Sequence, residues 1–274
     1  MHGLGNDFII FDAPPGGAPS AEVFRRLADR YTGIGFDQAL MLEPPRKPGT
    51  AVYYRVFNAD GREVEQCGNG ARCIARHLGD RSGSPARELV LDSAGGLVQA
   101  KLAGEQVSVT MGVPDFDPAA LPFEASGEAY VYPLSVGASE VDIGAVSVGN
   151  PHCVLFVDEA EKAPVATLGP AIEHHPWFPS RTNVEFVERR SPRELRMRVW
   201  ERGAGITLAC GTGACAAAVA ASVRGLTERK VTVVLDGGKL EIDWRESDDH
   251  VLMTGPVGFS FGGEVNINAL IAAA

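Results

Sequence analysis

The chain has 274 residues, 45% hydrophobic and 22% charged, enough apolar mass for one large or two moderate globular domains. Its formal net charge of −10 argues against a nucleic-acid partner, because neutralising phosphates needs a basic surface. No apolar run approaches the roughly 18 residues of a membrane span, and no signal-peptide pattern is read at the start.

In chain order, "SAEVFRRLADR" at 20–30 predicts a helix capped by Ser20, with Val23, Phe24 and Leu27 on one face. "VYYRVFN" at 52–58 alternates as a half-buried strand does, and leads through a Gly- and charge-rich loop to Cys67. Small helix formers, "ARCIARHLG", follow, and then hairpin-like strands over 88–111 broken by "SAGG". "GVPDFDPAALP" reads as a crossover. A second helix over 163–175 carries Leu168 and Ile172, and "ELRMRVWE" at 194–201 is a second alternating strand. It leads to Cys210, the helix "ACAAAVAASVRG", and strands over 231–254 broken by "DGG".

The second half therefore repeats the first. Cys67 and Cys210 lie 143 positions apart, and the same offset aligns Val56 with Val199, Phe57 with Trp200, Gly68 with Gly211, Gly70 with Gly213 and Gly112 with Gly255. A shift of one more aligns "GNDF" at 5–8 with "GNPH" at 149–152. The expected class is α+β: two pseudo-symmetric repeats, each a curved, mostly antiparallel sheet wrapped around a central helix. The expected domains are 1–112 with a returning tail, 256–274, and 113–255.

The five cysteines are Cys67, Cys73, Cys153, Cys210 and Cys215, an odd number that fits a reducing cytoplasm better than a disulfide framework. Their spacings do not suit a structural zinc site, so no metal is expected. Cys73, Cys153 and Cys215 read as packing residues. Cys67 and Cys210 differ because they hold one slot in both repeats, with the same glycines behind them. A cysteine at a helix N-terminus sits at the positive end of the helix dipole, which favours thiolate. The glycines let backbone N–H groups converge on an anion. Two acid–base groups on opposite faces of one carbon can remove a proton from one side and return one on the other. That is stereoinversion.

"MHGLGNDF", "FNADG", "CGNGAR", "GNPH", "RTNVEF" and "WERGAGITLACGTGA" occur in an order that resembles the diaminopimelate epimerases over essentially the whole chain. Proline racemases and phenazine-biosynthesis isomerases share that fold without this motif set. The resemblance implies an epimerase independent of pyridoxal phosphate, with no cofactor, that interconverts LL- and meso-diaminopimelate for lysine and peptidoglycan. It implies Cys67 and Cys210 as the acid–base pair, with His152 and Glu201 tuning their protonation. Backbone amides around Gly68, Asn69, Gly211 and Thr212 would hold the α-carboxylate, whose charge grows as the proton leaves. Asn6, Gln38, Asn58, Asn150 and Asn183 would read the amino and carboxylate groups, Glu201 would adjoin the substrate, and Arg202 would pair the distal carboxylate. Members usually carry a few residues ahead of "MHGLGNDF" as a first strand, which bears on the edge of the first domain and not on the chemistry. The expected partner is the small-molecule substrate, with no nucleic acid and no membrane, and a homodimer is the assembly considered.

Three other readings compete. Another amino-acid racemase would keep the cysteines and change the polar shell, and a proline-like substrate would leave several of these amides unpaired. A redox switch would use the two cysteines only as a reversible disulfide and would not exchange substrate hydrogen with water. A cysteine hydrolase needs one nucleophile, a base and an oxyanion hole, and leaves the duplication unexplained.

Overall fold

A computed structural model describes residues 1–65, 67–82, 88–119, 121–125, 130–137 and 139–272. The chain forms two compact units, Met1–Val109 with Gly255–Ala274, and Thr110–Thr254.

The first unit contains β1 (His2–Gly3), β2 (Asn6–Asp12), α1 (Ala21–Ala28), β3 (Gln38–Glu43), β4 (Val52–Asn58), β5 (Glu63–Val64), α2 (Gly68–Arg81), β6 (Glu88–Ser93), β7 (Gly96–Ala103) and β8 (Gln106–Thr110). Two of its strand pairs are parallel, β2 with β3 and β4 with β6. Each is bridged by a helix, α1 and α2, because a parallel return needs a long crossover. The remaining pairs, β1–β2, β3–β4, β4–β5, β6–β7 and β7–β8, are antiparallel. Ser20 caps α1 as expected, its hydroxyl accepting from the Val23 N–H. Val23, Phe24 and Leu27 are buried, and Phe24 stacks on Phe57 with ring centroids 4.5 Å apart. Burial of such side chains stabilises by roughly 1.5–3 kcal/mol each, so this patch seats α1 firmly on the sheet.

The second unit contains β9 (Tyr132–Val136), β10 (Ser139–Ser147), β11 (Pro151–Phe156), α3 (Val165–Glu173), β12 (Asn183–Ser191), β13 (Glu194–Glu201), β14 (Gly205–Ile206), α4 (Gly211–Val223), β15 (Lys230–Leu235), β16 (Gly238–Trp244) and β17 (Val251–Pro256), whose last two residues, Gly255 and Pro256, belong to the first unit. Its parallel pairs are β11–β12 and β13–β15, bridged by α3 and α4. The others are antiparallel, so strand for strand the second unit repeats the first, with β9 added at the edge of β10.

The central helices differ in burial. Along α4, Gly211 and every residue from Gly213 to Ala221 are buried, because alanines and glycines let strands approach from all sides. In α2 the buried stretch runs only from Gly68 to Ala75. Between the units' strands, 112–122 makes one β-bridge, Asp115 to Ser147, and Ala120 lies outside the described residues.

Strands β3 and β12 carried no alternating signal, and the packing explains why. Ala39 and Met41 join the α1 cluster, while Leu40 reaches Gly70 of α2. Val184 and Phe186 join the cluster that contains Val165 and Ile172 of α3, while Glu185 reaches Gly213 of α4. A strand covered on both faces has no polar side to alternate with.

Candidate active site

Each of the two cysteines is the N-cap of its central helix. Cys67 has φ −145° and ψ 112°, and its sulfur accepts the Gly70 N–H at 3.4 Å. Cys210 has φ −106° and ψ 111°, and its sulfur accepts the Gly213 N–H at 3.3 Å. The cysteine carbonyls take the N–H groups of Ala71 and Ala214. The first turns, at Gly68 and Asn69 and at Gly211 and Thr212, are the positive ends of the two helices, where backbone N–H groups suit an anion. Neither first turn carries an acidic residue that would occupy it.

In the first unit, Asn69 Nδ2 donates to Asn6 Oδ1 at 3.3 Å, and Asn6 Nδ2 donates to Asp37 Oδ2 at 3.0 Å. Gln38 and Asn58 are cross-strand partners, and Gln38 Nε2 donates to Asn58 Oδ1 at 2.8 Å. Arg72, fully buried, donates from Nη2 to Asn69 Oδ1 at 2.7 Å and from Nη1 to the Pro256 carbonyl at 2.8 Å. The start of α2 is therefore clamped to the returning tail through Arg72, which also holds Asn69.

In the second unit, Cys210 Sγ lies 3.5 Å from Thr212 Oγ1, which accepts from Asn150 Nδ2 at 3.4 Å. His152 is buried, with Nε2 2.9 Å from Asn150 Oδ1 and Nδ1 2.7 Å from Glu185 Oε1. Glu201 Oε1 accepts from the Thr207 hydroxyl. Asn183 bonds to backbone on both sides, donating to the Pro151 carbonyl at 3.0 Å and accepting the Arg202 N–H at 3.0 Å. It thereby fixes the backbone of Arg202, whose exposed guanidinium donates to the Ser180 carbonyl at 3.3 Å.

Position by position the shells correspond: Asn6 with Asn150, Gln38 with Asn183, Asn58 with Glu201, Cys67 with Cys210 and Asn69 with Thr212. Burial, joined by the negative charges of Glu201 and Glu185, pushes the Cys210 thiol well above its ordinary range, against the hydrogen bonds from Thr212 and the Gly213 N–H. The helix dipole alone favours thiolate, and here desolvation outweighs it. Burial also pushes Cys73 up to about 12 and Cys153 well above normal, which leaves both as inert packing thiols.

Glu185 was missed by sequence reasoning, which took Asn183 from "RTNVEF". The available signal was an acid inside the otherwise apolar run Val184–Val187, all of it buried. Among the described residues, no group of three or more His, Cys, Asp or Glu side chains is placed to hold a metal ion, and no helix is long and apolar enough to cross a membrane.

Comparison with known proteins matches this arrangement at both levels. The family profile described as diaminopimelate epimerase matches residues 1–116 and 144–260. A diaminopimelate epimerase of Stutzerimonas stutzeri is 48% identical over 269 residues, covering 97% of this chain and 98% of that protein. One of Pseudomonas entomophila is 49% identical over 269 residues with the same coverage. In fold, the chain is similar to a hydroxyproline epimerase from Agrobacterium vitis, with a TM-score of 0.68 at 16% identity, covering 95% of this chain and 89% of that one. With nearly half its residues identical to these relatives along almost the full length, the chain belongs to the diaminopimelate epimerase family.

Proposed function

We propose that the chain interconverts LL- and meso-2,6-diaminopimelate by removing the α-proton with one of Cys67 and Cys210 and returning a different proton from the other. The observation that supports this most is the duplicated device: two cysteines, each capping a helix whose first N–H groups suit an anion, in matched slots of two repeats. In one direction the Cys67 thiolate takes the α-proton; the C–H bond breaks and an S–H bond forms. The electron pair left on carbon spreads into the α-carboxylate, where N–H groups near Gly68, Asn69, Gly211 and Thr212 gain strength as charge builds. Cys210 then gives its proton to the opposite face and ends as thiolate. The reverse reaction exchanges the two roles. No electron is gained or lost overall, so the step needs no redox partner.

The remaining shell reads the ligand. Asn6, Gln38, Asn58 and Asn150 offer amide groups to the substrate's amino and carboxylate ends, and Arg202 pairs the distal carboxylate. Asn183 serves by holding Arg202 in place. His152 and Glu201 set the protonation of Cys210. The cysteine thiols suit the reducing cytoplasm, where the product feeds lysine and cell-wall precursors.

The test is activity on LL-diaminopimelate against a panel of free amino acids, including proline and hydroxyproline. Turnover of LL-diaminopimelate at least 10-fold above every monocarboxylate is expected, since those leave Arg202 without its proposed carboxylate and a lost charged contact is worth roughly 1.5–3 kcal/mol. Equal or faster turnover of a proline substrate would overturn the assignment.

A further inference from the structure

The two repeats share a polar shell but differ in what lies behind the sulfur. Phe8 of β2 pairs with Gln38, and His152 of β11 pairs with Asn183. Leu40 pairs with Val56 and Glu185 with Val199, and those two valines are repeat counterparts. His152 and Glu185 thus stand where the first repeat has Phe8 and Leu40. The packing agrees. A β-carbon on Gly70 would lie 3.0 Å from Leu40 Cδ2 and 3.5 Å from Cys67 Cβ. A β-carbon on Gly213 would lie 2.7 Å from Glu185 Oε1 and 3.2 Å from Cys210 Sγ. One slot under the capping cysteine holds an isobutyl group in the first repeat and a carboxylate in the second.

Packing does not account for that carboxylate. Leucine fills the same slot in the sister repeat without a polar atom to satisfy. Glu185 is fully buried, and its Oε2 has no hydrogen-bond partner among the described residues. Burying such an oxygen unsatisfied costs the fold, and the contact to His152 Nδ1 offsets only part of this. What Glu185 does supply is negative charge beside one of the two sulfurs. The titratable groups acting on Cys210 are Glu201 on β13 and Glu185 on β12, with His152 on β11 behind Glu185, and the first turn of α4 contributes no acid. The first-repeat counterparts of Glu201, Glu185 and His152 are Asn58, Leu40 and Phe8, while Cys67 interacts electrostatically with the buried Tyr54.

We propose that Glu185 is a positioning residue for epimerisation: seated under the capping cysteine and held by His152, its carboxylate governs the protonation of Cys210 from a slot that the first repeat fills with Leu40. This rests on the two-base reading given above. It also explains why a device copied twice is not copied in full. An enzyme with two equivalent thiols would populate states with both protonated or both ionised, and neither can start the reaction. A fixed charge at one thiol favours the mixed state.

Iodoacetamide alkylation across pH, with each cysteine read by peptide mapping, follows Cys210 ionisation without substrate. In Glu185→Gln the Cys210 midpoint is expected to fall by about one pH unit, a tenfold gain in thiolate at any pH below it. The basic limb of kcat/KM against pH falls with it, since that limb reports loss of the acid. Glu185→Leu, which copies the sister repeat and needs no polar partner, is the second variant and moves the midpoint the same way. A Cys210 midpoint unchanged in either folded variant overturns the inference. Cys210→Ala, assayed alongside, separates the two claims. If it stays active, the two-base reading fails and this inference falls with it. If it is inactive while the Glu185→Gln midpoint is unmoved, only the role of Glu185 is overturned.

Discussion

Replacing either Cys67 or Cys210 with alanine is expected to lower kcat by roughly 10³-fold or more in both reaction directions, since a positioned acid or base contributes about 10²–10⁴-fold. On the proposed mechanism each direction uses one sulfur as base and the other as acid, so losing either stops both. The loss is expected without unfolding. Each sulfur serves its helix only as an N-cap acceptor, from the Gly70 N–H or the Gly213 N–H. Removing such a cap costs about 1 kcal/mol. On the same proposal substrate binding rests on the amides and N–H groups around the sulfur, so KM is expected to change little. Steady-state kinetics beside a melting curve checks this: a folded Cys→Ala variant that retains a tenth of wild-type kcat would contradict it. Cys73→Ala and Cys153→Ala, which alter buried thiols outside the proposed chemistry, keep their kcat.

Arg72→Ala is expected to destabilise the first unit by roughly 4 kcal/mol. The side chain is fully buried and donates both to the Pro256 carbonyl and to Asn69 Oδ1. Its removal leaves these two acceptors without that donor, each worth about 1–3 kcal/mol, and opens a cavity besides. The effect should be local, because Arg72 ties the start of α2 to the returning tail of the same unit. Hydrogen exchange should rise over Gly68–Arg81 while Gly211–Val223 stays protected. Asn69 loses its clamp as well, so KM rises even where the variant is folded. Arg72→Met, which refills most of the volume, recovers part of the stability and none of the Asn69 positioning. Unchanged exchange over α2 would show that the clamp carries no stability.

Repetition made the architecture legible. Cys67 and Cys210 share an offset with Val56 and Val199, and those valines sit in β4 and β13, strands that alternate because one face meets the central helix. The caps were legible too, since a small polar residue before a helical run has one common use. Strands β3 and β12 were not, because burial on both faces erases the pattern that marks a strand. The same burial hid Glu185. A motif of Asn and Glu reads as two surface polar residues until the fold turns one of them under Cys210. The protonation of Cys210 lay further out of reach. The sequence shows a helix start, which favours thiolate, while desolvation and the converging carboxylates are properties of the packed state. Asn183 teaches the complementary lesson: its amide faces backbone at Pro151 and Arg202, so it orders the site from behind.

The claim at the centre is that two sulfurs act on opposite faces of one carbon. Its most direct test runs LL- and meso-diaminopimelate separately in heavy water and stops each reaction within the first turnover. Thiol protons exchange with solvent, so a product that takes its proton from the second cysteine carries deuterium at the inverted carbon, while unreacted substrate keeps its protium. Full deuteration of the product from both isomers is the predicted result. Product that retains the substrate's own hydrogen would mean that one group had carried it from face to face, and would contradict the account.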